Sequence, residues 1–143
     1  MGHRVAILDR GVLQQLGSPQ EVYDRPANLF VARFIGTPPM NTVRGPLETV
    51  GATPVVRVGD VGVGLPGAAA AAAAAAGLYE VVLGVRPEHV EIVAESTAGA
   101  LAATVEVVEH LGHEQHVVCR LVDGQLVTVR QGSHVPAPPA TTA

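Results

Sequence analysis

The first part of the chain has the hydrophobic spacing of a β-hairpin. Residues 4–8 form a short apolar run rich in β-branched side chains, and the turn Asp9-Arg10-Gly11 follows it. Residues 12–16 supply the returning strand. We therefore expect a hairpin whose first strand is buried.

Two short helices are predicted after this hairpin. Ser18 is a suitable N-cap, and Glu21 stands three residues later to complete a capping box. This helix should end before Pro26 because a proline cannot continue it. Asn28 is placed to cap a second helix over residues 29–35.

The second helix carries both phenylalanines of the chain, Phe30 and Phe34. They recur at helical spacing, which indicates one apolar side of the helix. We expect Phe30 and Phe34 to pack in the helix core rather than to stack on a ligand. They are also candidate interface residues if the helix contacts a partner.

Beyond the prolines at positions 38 and 39 the pattern changes to alternation of apolar and polar residues. Asp123-Gly124 between two such runs is a strong hairpin signal. Short strands at this spacing are typical of a small barrel or sandwich. The strands are predicted over residues 53–58, 61–65, 81–85, 89–93, 104–108, 116–122 and 125–129.

A run of nine alanines at 68–76 interrupts these strands. Alanine has the highest helix propensity, but so short a helix is marginal in water. The run predicts a short surface helix or a frayed loop. Residues 136–143 are rich in proline and predict a disordered tail.

Composition excludes several classes of protein. The formal net charge is −4, so the basic footprint of a nucleic-acid binder is missing. The chain has two Tyr, two Phe and no Trp, so its core must be built from aliphatic side chains. Cys119 is the single cysteine, which rules out an internal disulfide.

Arg86, Glu88 and His89 are polar residues within an otherwise apolar stretch. Arginine suits bidentate recognition of a carboxylate or phosphate, so an anion or effector site centred on Arg86 is one interpretation. The other interpretation is structural: Arg86 and Glu88 pair with nearby groups and fix the turn around Pro87. We favour the structural interpretation.

His110, His113 and His116 lie close to Glu109 and Glu114, and imidazoles with carboxylates can bind zinc. Residues three apart on a continuous strand point to opposite faces, however, so the three imidazoles would not converge. We therefore expect no metal site and interpret this segment as a solvated hairpin end.

Three segments together resemble the ATPase subunits of sugar-importing ABC transporters of the maltose, trehalose and glycerol-phosphate type. They are residues 4–41, Gly84-Val-Arg-Pro-Glu-His89, and residues 105–112 followed by 116–118. The resemblance implies the end of a nucleotide-binding domain in residues 1–36. It also implies an OB-type regulatory domain, called the TOBE domain, in residues 37–135, with the alanine insert at 68–76 and a tail at 136–143.

The expected fold is therefore mainly β with a small α/β N-terminal piece. The β part should be an OB-like small barrel that follows the end of an ABC nucleotide-binding domain. The family continues beyond residue 132 with another strand or two, whereas this chain has a proline-rich ending, so closure of the barrel stays open.

No catalytic residue of that family carries over to this chain. The phosphate-binding loop G-x-x-x-x-G-K-[ST] needs a lysine, which the chain lacks, and no Leu-Ser-Gly-Gly-Gln signature is present. We expect no cofactor in this chain itself, whereas the full-length family uses ATP and Mg²⁺.

The resemblance implies a C-terminal regulatory and dimerisation portion of an importer subunit. The implied partners are an ABC ATPase domain or a twin ATPase subunit, and membrane permease subunits indirectly. The implied location is cytoplasmic, peripheral to the cytoplasmic face of the cell membrane. Two alternatives stay open: a stand-alone TOBE module that binds a small anion, and a non-functional gene fragment.

Overall fold

The N-terminal hairpin and its two helices lie where local sequence signals place them. The computed structural model describes residues 2–138. Strands β1 (Val5–Asp9) and β2 (Val12–Gly17) form a two-stranded antiparallel sheet. Helices α1 (Pro19–Asp24) and α2 (Leu29–Phe34) follow. We call residues 2–36 the N-terminal segment.

Both helices begin with the predicted caps. The Ser18 hydroxyl accepts a hydrogen bond from the Glu21 amide at 3.2 Å, and the Glu21 carboxylate accepts one from the Ser18 amide at 2.9 Å. This pair completes the capping box. Asn28 caps α2 by accepting from the Val31 amide at 3.0 Å.

The core cluster of the N-terminal segment contains three buried hydrophobic side chains, Ile7, Val22 and Val31, and Ala32 is buried as well. The expectation that Phe30 and Phe34 pack in this core is wrong. Phe34 is 61% exposed and Phe30 is also exposed, because α2 turns Val31 and Ala32 inward instead. The first strand is likewise only partly buried.

A long strand, β3 (Asn41–Val50), is the central element of the larger sheet and was missing from the prediction. Its first half, up to Pro46, pairs with a later strand, and its second half, from Leu47, pairs with the strand that directly follows. Gly45 and Pro46 lie at the change of partner. A glycine and a proline at such a point let a strand bend, which a curved sheet requires.

The larger sheet contains three further strands, β4 (Thr53–Val58), β5 (Val61–Gly64) and β6 (Glu80–Val85). Its strands lie in the order β5-β4-β3-β6, and each is antiparallel to its neighbours. The alanine run forms helix α3 (Gly67–Ala76) between β5 and β6. Apart from Ala73 and the half-buried Ala70, its residues are exposed, so the prediction of a surface helix is confirmed.

The second sheet has three antiparallel strands in chain order. They are β7 (Ala103–His110), β8 (Glu114–Leu121) and β9 (Leu126–Gly132). The strand predicted over residues 89–93 is wrong. A 3-10 turn, Pro87–His89, stands at its start, and the chain then runs without sheet pairing, with Val90 and Ile92 packed against the core.

The two larger sheets share a hydrophobic core of aliphatic side chains, as the scarcity of aromatics requires. Val43, Val56 and Val58 come from the first sheet, and Leu121 and Val127 come from the second. The mainly β architecture with its OB-like fold is therefore confirmed. At the seam between the sheets, the side-chain amides of Asn41 and Gln125 bond to the backbone of the opposite strand.

Residues 136–138 have no regular secondary structure, and the rest of the predicted tail, 139–143, lies outside the described residues. Within residues 2–138, no helix combines the length and apolar character needed to cross a bilayer.

Candidate functional site

Arg86 lies at the junction between the N-terminal segment and the β-sheets. It comes directly after β6 and immediately before the turn Pro87–His89, so the backbone there holds it in place. Its side chain is only 4% exposed. A buried guanidinium must be paired to be tolerated, because an isolated buried charge is costly.

The Arg86 guanidinium donates to three backbone carbonyls. Its Nη1 donates to the carbonyl oxygens of Ala32 at 2.9 Å and Ile35 at 2.7 Å, and its Nη2 donates to that of Tyr23 at 2.8 Å. These carbonyls lie at the C-terminal ends of α1 and α2, where helices leave carbonyl groups without an internal partner. A cation is also favoured at the negative end of a helix. One side chain thus caps two helices.

Tyr23 is held at three points by this junction. Arg86 bonds to its backbone and also lies over its ring, with the guanidinium carbon 4.0 Å from the ring centroid. The Tyr23 hydroxyl donates to the Glu88 carboxylate. The cation over the ring adds an attraction beyond the hydrogen bonds. We call Tyr23, Arg86 and Glu88 the junction cluster.

Burial is the main influence on the pKa of Arg86. It lowers the pKa of the guanidinium from its usual value, and the nearby Asp24 carboxylate offsets part of this effect. An arginine still keeps its charge at any physiological pH. The junction cluster therefore holds a permanent positive charge between two helix ends.

The three candidate residues near Pro87 do not surround a common ligand space. Arg86 and Glu88 meet at Tyr23, whereas the side chain of His89 is exposed. The His89 backbone amide donates to the Arg86 carbonyl at 2.9 Å and closes the turn. Two of the three guanidinium nitrogens of Arg86, Nη1 and Nη2, are already directed at carbonyls. The third, Nε, is buried without a hydrogen-bond partner among residues 2–138.

The outer side of α2 presents an apolar surface. The rings of Phe30 and Phe34 stack with their centroids 5.6 Å apart. Together with Leu29, Arg33 and Pro39 they line a shallow concavity of about 460 Å³. We call Leu29, Phe30 and Phe34 the α2 face. The hairpin adds further exposed hydrophobic side chains, namely Leu8, Val12, Leu13 and Leu16.

The histidine-rich segment forms an ion network. The Nε2 of buried His116 lies 3.0 Å from Glu114 Oε1, and Arg130 donates to Glu114 Oε2 from Nε at 2.9 Å and from Nη2 at 2.7 Å. These bonds, those of Arg130 first, hold the pKa of the Glu114 carboxyl below its usual value. His113 approaches Glu114 from the exposed side at 3.6 Å, and Glu109 lies 3.9 Å from His116.

His110 makes none of these contacts, so the three histidines do not converge. Among residues 2–138, no group of three or more His, Cys, Asp or Glu side chains is arranged to hold a metal ion. Interpreting the whole segment as a solvated hairpin end was wrong for His116, which β8 turns inward.

Two contributors to these sites were not identified from the sequence. Tyr23 lies 63 residues before Arg86, and Asn41 lies 87 residues before its partner Thr128. No local pattern links residues so far apart. The one available signal for Tyr23 was its rarity, since the chain has four aromatic side chains in all.

Two family models match the chain. The model of the MalK OB fold domain matches residues 36–90, which include β3 to β6 and the 3-10 turn. The model of the TOBE domain matches residues 83–141, which include β7 to β9. The two matches overlap at the segment that contains Arg86.

Three curated relatives are similar to this chain over more than four fifths of its length. The sn-glycerol-3-phosphate import ATP-binding protein UgpC of Bordetella pertussis is 39% identical over 140 residues, which are 96% of this chain and 36% of that protein. The diacetylchitobiose uptake system ATP-binding protein MsiK of Streptomyces coelicolor is 42% identical over 131 residues, 82% of this chain and 33% of that protein. The trehalose/maltose import ATP-binding protein MalK of Thermococcus litoralis is 40% identical over 131 residues, 85% of this chain and 34% of that protein.

The chain therefore spans about a third of the length of the curated relatives it matches. The names of these relatives differ in the imported solute, although their identity to this chain is nearly the same. The degree of similarity therefore does not favour one of these solutes over another.

Proposed function

We propose that this chain is the regulatory and dimerisation portion of an ATP-binding subunit of a sugar-type ABC importer. The proposal starts from its family: the chain belongs to the C-terminal part of such subunits, which contains their TOBE and OB-fold domains. The full-length subunit would energise the uptake of a sugar or a glycerol-phosphate-like solute. This portion would contribute subunit contacts and control.

The observation that carries the proposal is the exposed α2 face. Soluble proteins rarely leave stacked aromatic rings and neighbouring hydrophobic side chains open to water unless a partner covers them. Here Phe30 and Phe34 stand on a helix that Arg86 ties to the β-sheets. The partner that fits is the nucleotide-binding portion of the same kind of subunit, in the same chain or in a twin.

The residues of this chain do not fit ATP. A phosphate-binding loop uses a lysine to reach the terminal phosphates, and the sequence has none. The buried cation Arg86 is engaged by three carbonyls. We therefore assign no step of ATP hydrolysis to these residues and place nucleotide and Mg²⁺ in another part of the subunit.

The proposed location is the cytoplasmic face of the membrane, reached through permease subunits. The alternative of a stand-alone anion-binding module has weaker support, because Nη1 and Nη2 of Arg86 already point at carbonyls and its Nε is buried. Nucleic acid is a poor partner, since the chain is acidic and has few aromatic side chains to stack on bases.

Co-expression tests the proposal. The chain would be produced with the nucleotide-binding portion of a relative, truncated before the stretch that matches residue 4, and the two pieces would be co-purified. We expect the wild-type chain to be retained and Phe34→Asp to lose most of this retention. Tyr79→Asp is the matched control, because Tyr79 is a 90% exposed aromatic residue outside the N-terminal segment.

The same variants separate the proposal from a stand-alone module. Without the partner, we expect the wild-type chain to self-associate in sedimentation velocity runs and Phe34→Asp to do so less. A wild-type chain that remains a monomer at high concentration and ignores the nucleotide-binding portion would contradict the proposed function.

A further inference from the structure

The N-terminal segment is joined to the remaining structure by very few polar contacts. Within residues 2–138, every hydrogen bond that joins residues 2–36 to residues 37–138 involves Arg86 or Glu88. The hairpin β1-β2 shares no strand with the two larger sheets. The polar attachment of the N-terminal segment therefore depends on the junction cluster.

The N-terminal segment is too small to be stable by itself. Its core consists of Ile7, Val22 and Val31, with Val5 and Ile35 partly buried beside them. Segments of this size bury too little apolar surface to offset their loss of conformational entropy. The helical structure of α1 and α2 must therefore be stabilised by contacts with residues outside the N-terminal segment.

Arg86 contacts the C-terminal end of α2, and the buried side of this helix lies opposite its exposed aromatic residues. Ala32, whose carbonyl it binds, is about 200° around the helix from Phe30 at ~100° per residue. Ala32 is buried, whereas Phe30 and Phe34 face solvent. A movement of α2 that follows docking on its outer side would thus act directly on two of the carbonyl contacts of Arg86, those with Ala32 and Ile35.

We infer that the junction cluster is a conformational latch that couples the α2 face to the β-sheets. When it is closed, the β-sheets hold α1 and α2 in order. When it is open, the N-terminal segment loosens while the sheets persist, because their cores contain no residue of that segment. Only the identity of the docking partner rests on the proposed function.

The latch also explains why Gly36 follows α2. Its φ of +103° is in the region that favours glycine, and an added Cβ would lie 3.3 Å from Arg86 Nη1 and 3.4 Å from Tyr23 Cε2. A side chain at this position would press against both the Arg86 guanidinium and the Tyr23 ring. The chain thus leaves space at the point where the latch closes.

Hydrogen exchange measured by mass spectrometry on the whole chain tests the latch. In Arg86→Met, we expect the amides of α1 and α2 to exchange more than about tenfold faster than in the wild type, while those of β8 keep their rates. Arg86→Lys should fail to restore protection, since one ammonium cannot reach carbonyls on two helices. Arg44→Met is the control, because Arg44 makes an exposed ion pair with Glu80.

A milder variant keeps the test decisive if Arg86→Met does not fold. Glu88→Gln removes the charge that accepts the Tyr23 hydroxyl but leaves Arg86 in place. We expect a smaller acceleration confined to α1. Unchanged exchange in α1 and α2 in both variants, or an equal loss of protection in β8, would overturn the latch.

A second experiment tests whether binding at the α2 face changes the β-sheets. Binding of the nucleotide-binding portion described above should slow exchange in residues 80–89 of the wild type and leave those residues unaffected in Arg86→Met. If the portion binds the wild type and residues 80–89 do not respond, the coupling is overturned. If it does not bind at all, the proposed function fails, and the first experiment still decides the latch.

Discussion

The side-chain amide of Asn41 forms two hydrogen bonds with the backbone of Thr128. It donates from Nδ2 to the carbonyl oxygen at 2.8 Å and accepts from the amide at 2.8 Å through Oδ1. Gln125 bonds to Arg44 in the same way, donating to its carbonyl at 2.8 Å and accepting from its amide at 2.7 Å. At this seam, side-chain amides make the bonds that a backbone ladder would otherwise make.

Replacing Asn41 by alanine should therefore destabilise the protein. Asn41 is buried, with 8% exposure, and its loss leaves both polar groups of Thr128 without these partners. We expect a decrease of about 2–4 kcal/mol in the free energy of unfolding, measured by urea titration. Thr49→Ala on the exposed end of the same strand is the control and should change it by less than about 0.5 kcal/mol. A loss as small as that in Asn41→Ala would contradict this role.

Gly45 lies in β3 at a point where the neighbouring strand β4 leaves no room for a side chain. An added Cβ would collide with the carbonyl oxygen of Arg57 and lie 2.9 Å from Val56 Cγ1, because β4 passes closely over this point. Gly45→Ala should thus cost more than about 2 kcal/mol of stability, as overpacking against backbone does. Gly64→Ala is the matched control, since nothing lies within 4 Å of its added Cβ. Equal melting temperatures for the two variants would refute the close approach.

The features that the sequence predicted correctly depend on neighbouring residues. The capping box of Ser18 and Glu21 and the hairpin turn at Asp123-Gly124 each lie within a few positions, so local geometry determines them. The run of such short strands predicted a small barrel or sandwich, and the family resemblance implied the OB-like fold.

The wrong or missing predictions concern features that tertiary contacts determine. No strand was predicted for β3, which contains Gly45 and Pro46, two residues that are uncommon inside strands. In the folded protein the strand runs through both of them and changes its pairing partner after Pro46. Helical spacing placed Phe30 and Phe34 on one side of α2 without indicating whether that side faces the core. Arg86 was identified as a candidate, whereas its partners on α1 and α2 could be found only from the folded chain.

The alanine run should be dispensable for stability. Helix α3 exposes most of its residues, and an alanine side chain offers little surface to bury. Replacing residues 68–76 by a Gly/Ser linker of equal length should lower the free energy of unfolding by less than about 1 kcal/mol, because changes in a surface connection cost little. Calorimetry would measure this. A loss above about 2 kcal/mol would show that buried Ala73 anchors a core helix.

The final prediction concerns acid stability through Glu114. Hydrogen bonds from Arg130, and then from His116, hold the pKa of its carboxyl below the ordinary value of 4.5. A carboxyl with a lowered folded-state pKa contributes stability above pH 4.5, and this stability is lost as the pH falls through the folded-state value. Between about pH 5 and pH 3, the free energy of unfolding of the wild type should thus fall more steeply than that of Glu114→Gln, which has no charge to lose. Urea titrations at each pH would measure both slopes, with Glu95→Gln, on an exposed carboxylate, as the control for the chemical change. Parallel curves for the wild type and Glu114→Gln would show that the Arg130 contacts do not depend on the Glu114 charge.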